Sequence, residues 1–168
     1  MKTFSFVAAS SNSGKTMLLE KVVRILKGRG LRVAVIKHAS KGFELDRPGK
    51  DSWRFQRAGA DLVLLAGPGQ IALIERIDRE LSAEELARRA GSVDIVLFEG
   101  FKRDASAKIE VFRSGVSGER PLCLDDPSFI ALVSDTPWNV NIPQFSPDDA
   151  ESVAGFVIGE CNSANSGC

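Results

Sequence analysis

The sequence predicts an α/β fold, with a mostly parallel sheet covered by helices on both faces and an antiparallel hairpin added to it. Two observations predict the sheet. An apolar run at residues 2–9 passes through a small-residue loop into an amphipathic helix, and a second apolar run follows at 31–36. This β-loop-α-β order belongs to parallel sheets covered by helices. The second run, LRVAVI, is β-branched and apolar on both parities, as a strand buried on both faces must be. A third observation predicts the hairpin: the strand-like runs 61–66 and 70–77 flank Gly67-Pro68-Gly69.

The elements follow in order. Residues 17–28 place Leu18, Leu19, Val22, Val23, Ile25 and Leu26 at helical spacing, and Gly28 and Gly30 stop the helix. The charged, Gly-rich stretch 37–60 reads as loop, with a short helix over about 51–58. A helix over 81–90 has Ser82 and Glu85 at capping-box spacing. VDIVLF at 93–98 is a strand that ends in Glu99-Gly100, and 108–113 and 129–133 are further strands. Ser146-Pro147-Asp148-Asp149 starts a last helix with Ser146 as its cap, running to about Glu160. The expected organisation is one domain over 1–161 and a flexible polar tail over 162–168.

Composition narrows the function classes. The 168 residues suffice for one buried core, and 22 Lys plus Arg balance 22 Asp plus Glu. No global basic field marks a nucleic-acid or membrane binder, so phosphate binding must be local. No apolar run approaches the roughly 18–20 residues that span a bilayer. MKTFSFVAAS faintly resembles a signal peptide but is too short in its apolar core and runs straight into SGKT, so it reads as a buried strand. Cys123, Cys161 and Cys168 form no CxxC pair and read as free thiols of a cytoplasmic protein.

The loop AASSNSGKT, residues 8–16, ends as a phosphate-binding loop does. Backbone N–H groups of Ser11, Asn12, Ser13 and Gly14, with the helix start at Lys15, Thr16 and Met17, would surround phosphate oxygens. Lys15 would reach the β- and γ-phosphates, and the Thr16 hydroxyl would ligate Mg²⁺. The first glycine of the pattern is replaced by Ala9, tolerable if φ there is negative. Glu99, at the C-terminal end of a buried strand, is either the carboxylate near the metal or a solvated acid. Asp94 lies at the wrong end of that strand. Lys37 either binds a terminal phosphate or is simply exposed. Asp51 either serves Mg²⁺ through water, aligns an attacking water, or caps the helix that follows. His38 alone is a poor metal ligand and reads as a polar loop residue. Asp135 either accepts from guanine N1 and N2 or forms a turn.

With these residues placed, the chain resembles the molybdopterin-guanine dinucleotide biosynthesis protein B (MobB) family of P-loop GTP-binding proteins. The resemblance rests on NSGKT with LLEKVVRILKGRGLRVAVIKH, on GFELDRPGKDSWRFQRAGAD, and on DIVLFEGFK followed by KIEVFR. It extends more loosely to FIALVSD. It implies a P-loop NTPase-type fold, GTP and Mg²⁺ as ligands, a homodimer built partly through extra strands, and at most weak GTPase activity. It also implies an adaptor role beside the guanylyltransferase MobA, which joins GMP to molybdopterin. By position Gly14, Lys15 and Thr16 match the phosphate and Mg²⁺ residues and Glu99 the second motif. Lys37 and Asp51 fall where dethiobiotin synthetases carry phosphate- and metal-facing residues. Ala9 departs from the family pattern, as does Ala39-Ser40 after the KH pair, and no NKxD guanine motif appears. Lys102, Arg103 and Lys108 are candidates for an anionic pterin phosphate, or form an ordinary basic loop. Two other readings stay open: a small-molecule kinase or ligase using Lys37, and a scaffold with a vestigial loop. No second carboxylate or His is recognisably placed as an acceptor base, and Lys15, Thr16 and Glu99 together favour a live site.

Overall fold

The computed structural model describes residues 1–40, 42–43, 46–102 and 107–163, and the chain divides into two compact units. The first comprises Met1–His38 and the chain from Ser82 on; the second is Ala39–Leu81.

The first unit holds six parallel strands: β1 (Lys2–Val7), β2 (Val33–Lys37), β5 (Ile95–Glu99), β6 (Lys108–Phe112), β7 (Phe129–Ser134) and β8 (Gln144–Phe145). Their order is β2-β5-β1-β6-β7-β8. The strands alternate across the sheet, so Phe4, Phe6, Ile95, Leu97, Ile109 and Val111 share one buried face. Helices α1 (Lys15–Gly28) and α4 (Ala150–Ser163) cover it with Leu18, Leu19, Val22 and Leu26, and with Val153, Ala154 and Val157. On the other face Val96 and Phe98 meet Ala83 and Ala87 of α3 (Ala83–Arg89). Helices therefore lie on both faces.

The ends of the helices follow from local chemistry. Gly28 stays inside α1; Gly30, at φ 81°, ends it. The Leu31 N–H donates to Leu26 O and the Gly30 N–H to Lys27 O, a Schellman closure that needs the left-handed glycine. The Ser82–Glu85 capping box forms in both directions. At α4 the cap differs from the expected Ser146. Ser146 accepts from the Asp149 N–H in a preceding turn, and Asp149 Oδ1 accepts from the Ser152 N–H at 3.0 Å. The helix thus starts one turn later, because a carboxylate three residues ahead of a free amide caps it directly. The helix reaches Ser163, and residues 164–168 lie outside the described part. The two-residue β8 carried no readable periodicity. Asp94 lies just before β5, where its Oδ2 accepts from the Arg32 N–H.

The second unit holds α2 (Asp51–Ala58) and the hairpin β3 (Leu62–Gly67) and β4 (Gln70–Glu75). The hairpin forms with Gly67 opposite Gln70, but as its own two-stranded sheet. Arg76 donates to Gln56 O at 2.7 Å, tying the hairpin end to α2. Leu62, Leu64, Ile71 and Leu73 lie on one hairpin face and are all at least 50% exposed.

One expected surface group is buried. Lys108 is 6% exposed and pairs with Asp126 Oδ2 at 2.9 Å, over the Phe129 ring. It alternates onto the same face as Glu110, whose two carboxylate oxygens accept from the Leu122 and Cys123 N–H groups. Lys108 is therefore part of the packing and not a ligand for a pterin phosphate; Arg103 lies outside the described residues. Beside Glu110, burial first and then the carboxylate push the Cys123 thiol up to about 12. Hydrogen bonds from Ser128 and then Lys108 hold the Asp126 carboxyl down, at about 2. A carboxyl depressed in the fold stabilises it above the unfolded value near 3.8, and that contribution fades as pH falls towards 2. Asp126→Asn is expected to lower stability at pH 7 and to flatten the pH dependence between 4 and 2, as measured by denaturant melts across that range.

Candidate functional site

The loop leaves β1 after Val7 and enters α1 at Lys15. Asn12 at φ 63° and Gly14 at φ 87° turn it back on itself. Gly14 is the N-cap, so the first amides of α1 open towards the loop. Ala9 has ordinary backbone, since Asn12 and Phe101 are the only described non-glycine residues with positive φ. A methyl group is thus compatible with the position where the pattern has glycine. Ser13 is buried, Ser11 and Asn12 are exposed, and Met17, one residue into the helix from Thr16, is 67% exposed. Ser10, which no sequence signal marked, anchors the loop: its Oγ donates to Val116 O at 2.7 Å.

Parallel pairing sets what meets the loop. Phe6 stands opposite Glu99, and Glu99 opposite Lys37, so the ends of β1, β5 and β2 align. The Thr16 hydroxyl donates to Glu99 Oε1 at 2.7 Å, and Lys37 Nζ lies 3.6 Å from Glu99 Oε2. The Glu99 side chain is 14% exposed, whereas that of Lys37 is 64% exposed, so the carboxylate is sheltered while the ammonium stays in solvent. The Lys15 ammonium lies 3.5 Å from Ser13 Oγ. Burial above all lowers its pKa, with Lys102 and Lys37 adding to the fall and Glu99 opposing it. The cluster is thus rich in cations, which suits a polyanion. Thr16 and Glu99 offer hard oxygen atoms side by side, the donor type that Mg²⁺ takes.

Beyond β5 the chain turns sharply. Gly100 has φ 99° and Phe101 φ 56°. Phe101, a bulky residue in left-handed conformation at a cost of roughly 1–2 kcal/mol, is held by its ring: 4.8 Å from Phe98 and 5.1 Å from His38. A Cβ on Gly100 would lie 3.3 Å from His38 Cβ. Lys102 then donates to Ala9 O at 3.0 Å. His38 is exposed beside this turn, with its N–H on Glu99 O, and no three-residue metal cluster exists among the described residues.

The remaining candidates lie apart from this cluster or in the other unit. Asp135 follows β7 and accepts from the Ser114 N–H at 2.9 Å, linking the exits of β6 and β7. Asp51 belongs to the second unit; Lys50 holds the cap position of α2, and Asp51 is the first helical residue, 3.8 Å from Arg54. Because Ala9 has ordinary φ, Ala9→Gly is expected to cost about 0.4–1 kcal/mol of stability through the unfolded chain, without tightening nucleotide binding. Chemical melts and calorimetric titration check both parts.

The family model for MobB, molybdopterin guanine dinucleotide synthesis protein B, matches residues 4–135. The molybdopterin-guanine dinucleotide biosynthesis adapter protein of Escherichia coli (strain K12) is 39% identical over 156 residues, covering 90% of this chain and 89% of that protein. That of Haemophilus influenzae (strain ATCC 51907 / DSM 11121 / KW20 / Rd) is 33% identical over 153 residues, covering 90% and 85%. A crystal structure of molybdopterin-guanine biosynthesis protein B superposes with a TM-score of 0.71 at 29% identity, covering 95% of this chain and 99% of that chain. A phosphate-loop fold, a motif set spread over both units, and this breadth of similarity agree: the chain belongs to the molybdopterin guanine dinucleotide synthesis protein B (MobB) family, as a homologue of its adapter proteins.

Proposed function

We propose that the chain binds GTP with Mg²⁺ and assists MobA in attaching GMP to molybdopterin, hydrolysing GTP weakly at most. The observation behind this is the convergence of Lys15, Thr16, Glu99 and Lys37 on one phosphate loop. In this reading the amides of Ser11 to Gly14 and the start of α1 hold the phosphates, Met17 included. Lys15 neutralises the β- and γ-oxygens, and Lys37 faces the terminal one. Thr16 and Glu99 hold the cation, which when bound neutralises charge on the β- and γ-oxygens. Asp51 is assigned to the metal's outer water or to alignment of an attacking water. Asp135, steadied by Ser114, is assigned to the guanine edge.

The homodimer belongs to the same proposal. A lone two-stranded hairpin is marginal in water, and this one displays an apolar face of Leu62, Leu64, Ile71 and Leu73. A second copy of the hairpin matches that face in chemistry. Leu64→Lys with Ile71→Lys is expected to shift the protein to monomer in sedimentation; an unchanged dimer mass would remove the hairpin from the interface.

The functional test compares wild type with Lys15→Ala in MobA-dependent conversion of molybdopterin to its guanine dinucleotide, alongside GTP and ATP titrations. Wild type is expected to stimulate conversion and prefer GTP. Lys15→Ala is expected to lose GTP binding while melting no lower, because the lysine it removes is held against burial and two like charges. Unchanged GTP affinity in Lys15→Ala would sink the nucleotide reading. Absence of stimulation, with rapid phosphate transfer to another acceptor, would favour a kinase.

A further inference from the structure

The turn after β5 is more strained than a connection from strand to loop requires. Gly100 and Phe101 are both left-handed, and Phe101 is kept so by packing between Phe98 and His38. Strain of this kind persists only where surrounding structure over-determines it, and it collects at functional sites. Its consequence here is specific: the chain folds back so that the next side chain, Lys102, reaches Ala9 O at the opening of the phosphate loop.

That contact uses one of the three donors of the ammonium. An exposed lysine on a single carbonyl gains little, so the hydrogen bond alone does not account for the strained turn. The charge accounts for it better. Lys102 repels the Lys15 ammonium, and with Lys37 it makes three cations around a loop where Glu99 is the acid paired to Thr16.

Sheet order says which part of a ligand Lys102 would meet. The loop follows β1, with β5 and β2 on one side and β6 and β7 on the other. Thr16 and Glu99, which would hold the cation in the proposed reading, meet on the β5 side. Asp135, assigned to the base, lies on the β7 side. Lys102 follows β5, three residues after Glu99, and so belongs to the side of the loop that carries the proposed cation pair.

We infer that the Gly100-Phe101 turn aims Lys102 at the terminal phosphate, making Lys102, beside Lys37, a residue by which this site distinguishes a nucleoside triphosphate from a diphosphate. The inference rests on the proposed GTP–Mg²⁺ reading of the loop. With triphosphate bound, Lys102 exchanges Ala9 O for a γ-oxygen, a charge-assisted bond; with diphosphate it stays on the loop carbonyl.

Calorimetric titration of the full chain with Mg²⁺, GDP and a non-hydrolysable GTP analogue tests this in wild type, Lys102→Ala and Lys102→Arg. Lys102→Ala is expected to weaken the triphosphate analogue about tenfold or more, as loss of a charge-assisted hydrogen bond does, while GDP affinity changes by less than about twofold. Lys102→Arg, which keeps the charge, is expected to recover part of the loss. Equal losses for both nucleotides, with or without a fall in melting temperature, would mark a structural or diffuse electrostatic lysine and overturn the inference. No loss for either would overturn it as well. Failure of wild type to bind either nucleotide would instead remove the underlying reading.

Discussion

The hydrogen bond from Thr16 to Glu99 is the point on which the candidate site depends. It joins the first turn of α1 to the end of β5, through two residues 83 positions apart in the chain. It exists because parallel pairing puts Phe6 beside Glu99, so the loop after β1 and the acid ending β5 leave the sheet at one level. A slip of one residue would turn the whole strand over and send Glu99 to the opposite face. Buried apolar side chains on both faces of β1 and β5 oppose that slip: Phe4, Phe6 and Leu97 under α1, and Val96 and Phe98 under α3. The core therefore sets the chemistry of the edge.

The same edge gathers charge at some expense. Lys15 is partly buried near two other lysines and has its pKa lowered. Phe101 is left-handed, and a Cβ on the left-handed Gly100 would crowd His38 Cβ at 3.3 Å. None of these choices suits a surface built for stability alone. They suit one that receives a polyanion, whose charge would remove the repulsion. Elsewhere in the first unit two buried charges are satisfied internally: Lys108 by Asp126, Glu110 by two backbone amides.

Much of this was legible in the chain. The loop, α1 with its glycine stop, the Ser82–Glu85 box, the hairpin and the strand ending in Glu99 all express local rules: period, cap, turn residue, strand run. The motif blocks also pointed to the MobB family, to which the chain belongs. What was misread or missed had separate causes. Ser146 yielded its capping role to Asp149 because two capping residues competed within four positions, and geometry chose between them. Lys108 looked like surface by residue type but alternates onto a face covered by the 3-10 turn Leu122–Leu124. Ser10 and Lys102 gave no signal as loop partners, since their acceptors, Val116 O and Ala9 O, are backbone atoms that any residue would supply.

By itself, then, the sequence determined the types of the longer elements and the parallel class of the sheet, and it marked Gly14, Lys15, Thr16 and Glu99 as candidates for phosphate and cation, because these depend on spacing along the chain. The tertiary structure alone decided the strand order β2-β5-β1-β6-β7-β8, which places Lys37 and Glu99 on one side of the loop and Asp135 on the other. It also decided that the hairpin forms a sheet of its own and that Lys102 folds back to the loop. The physical reason is one of range. Periodicity and capping act over a turn or two of chain, whereas strand neighbours and the direction of a side chain after a strained turn are settled by packing between distant segments.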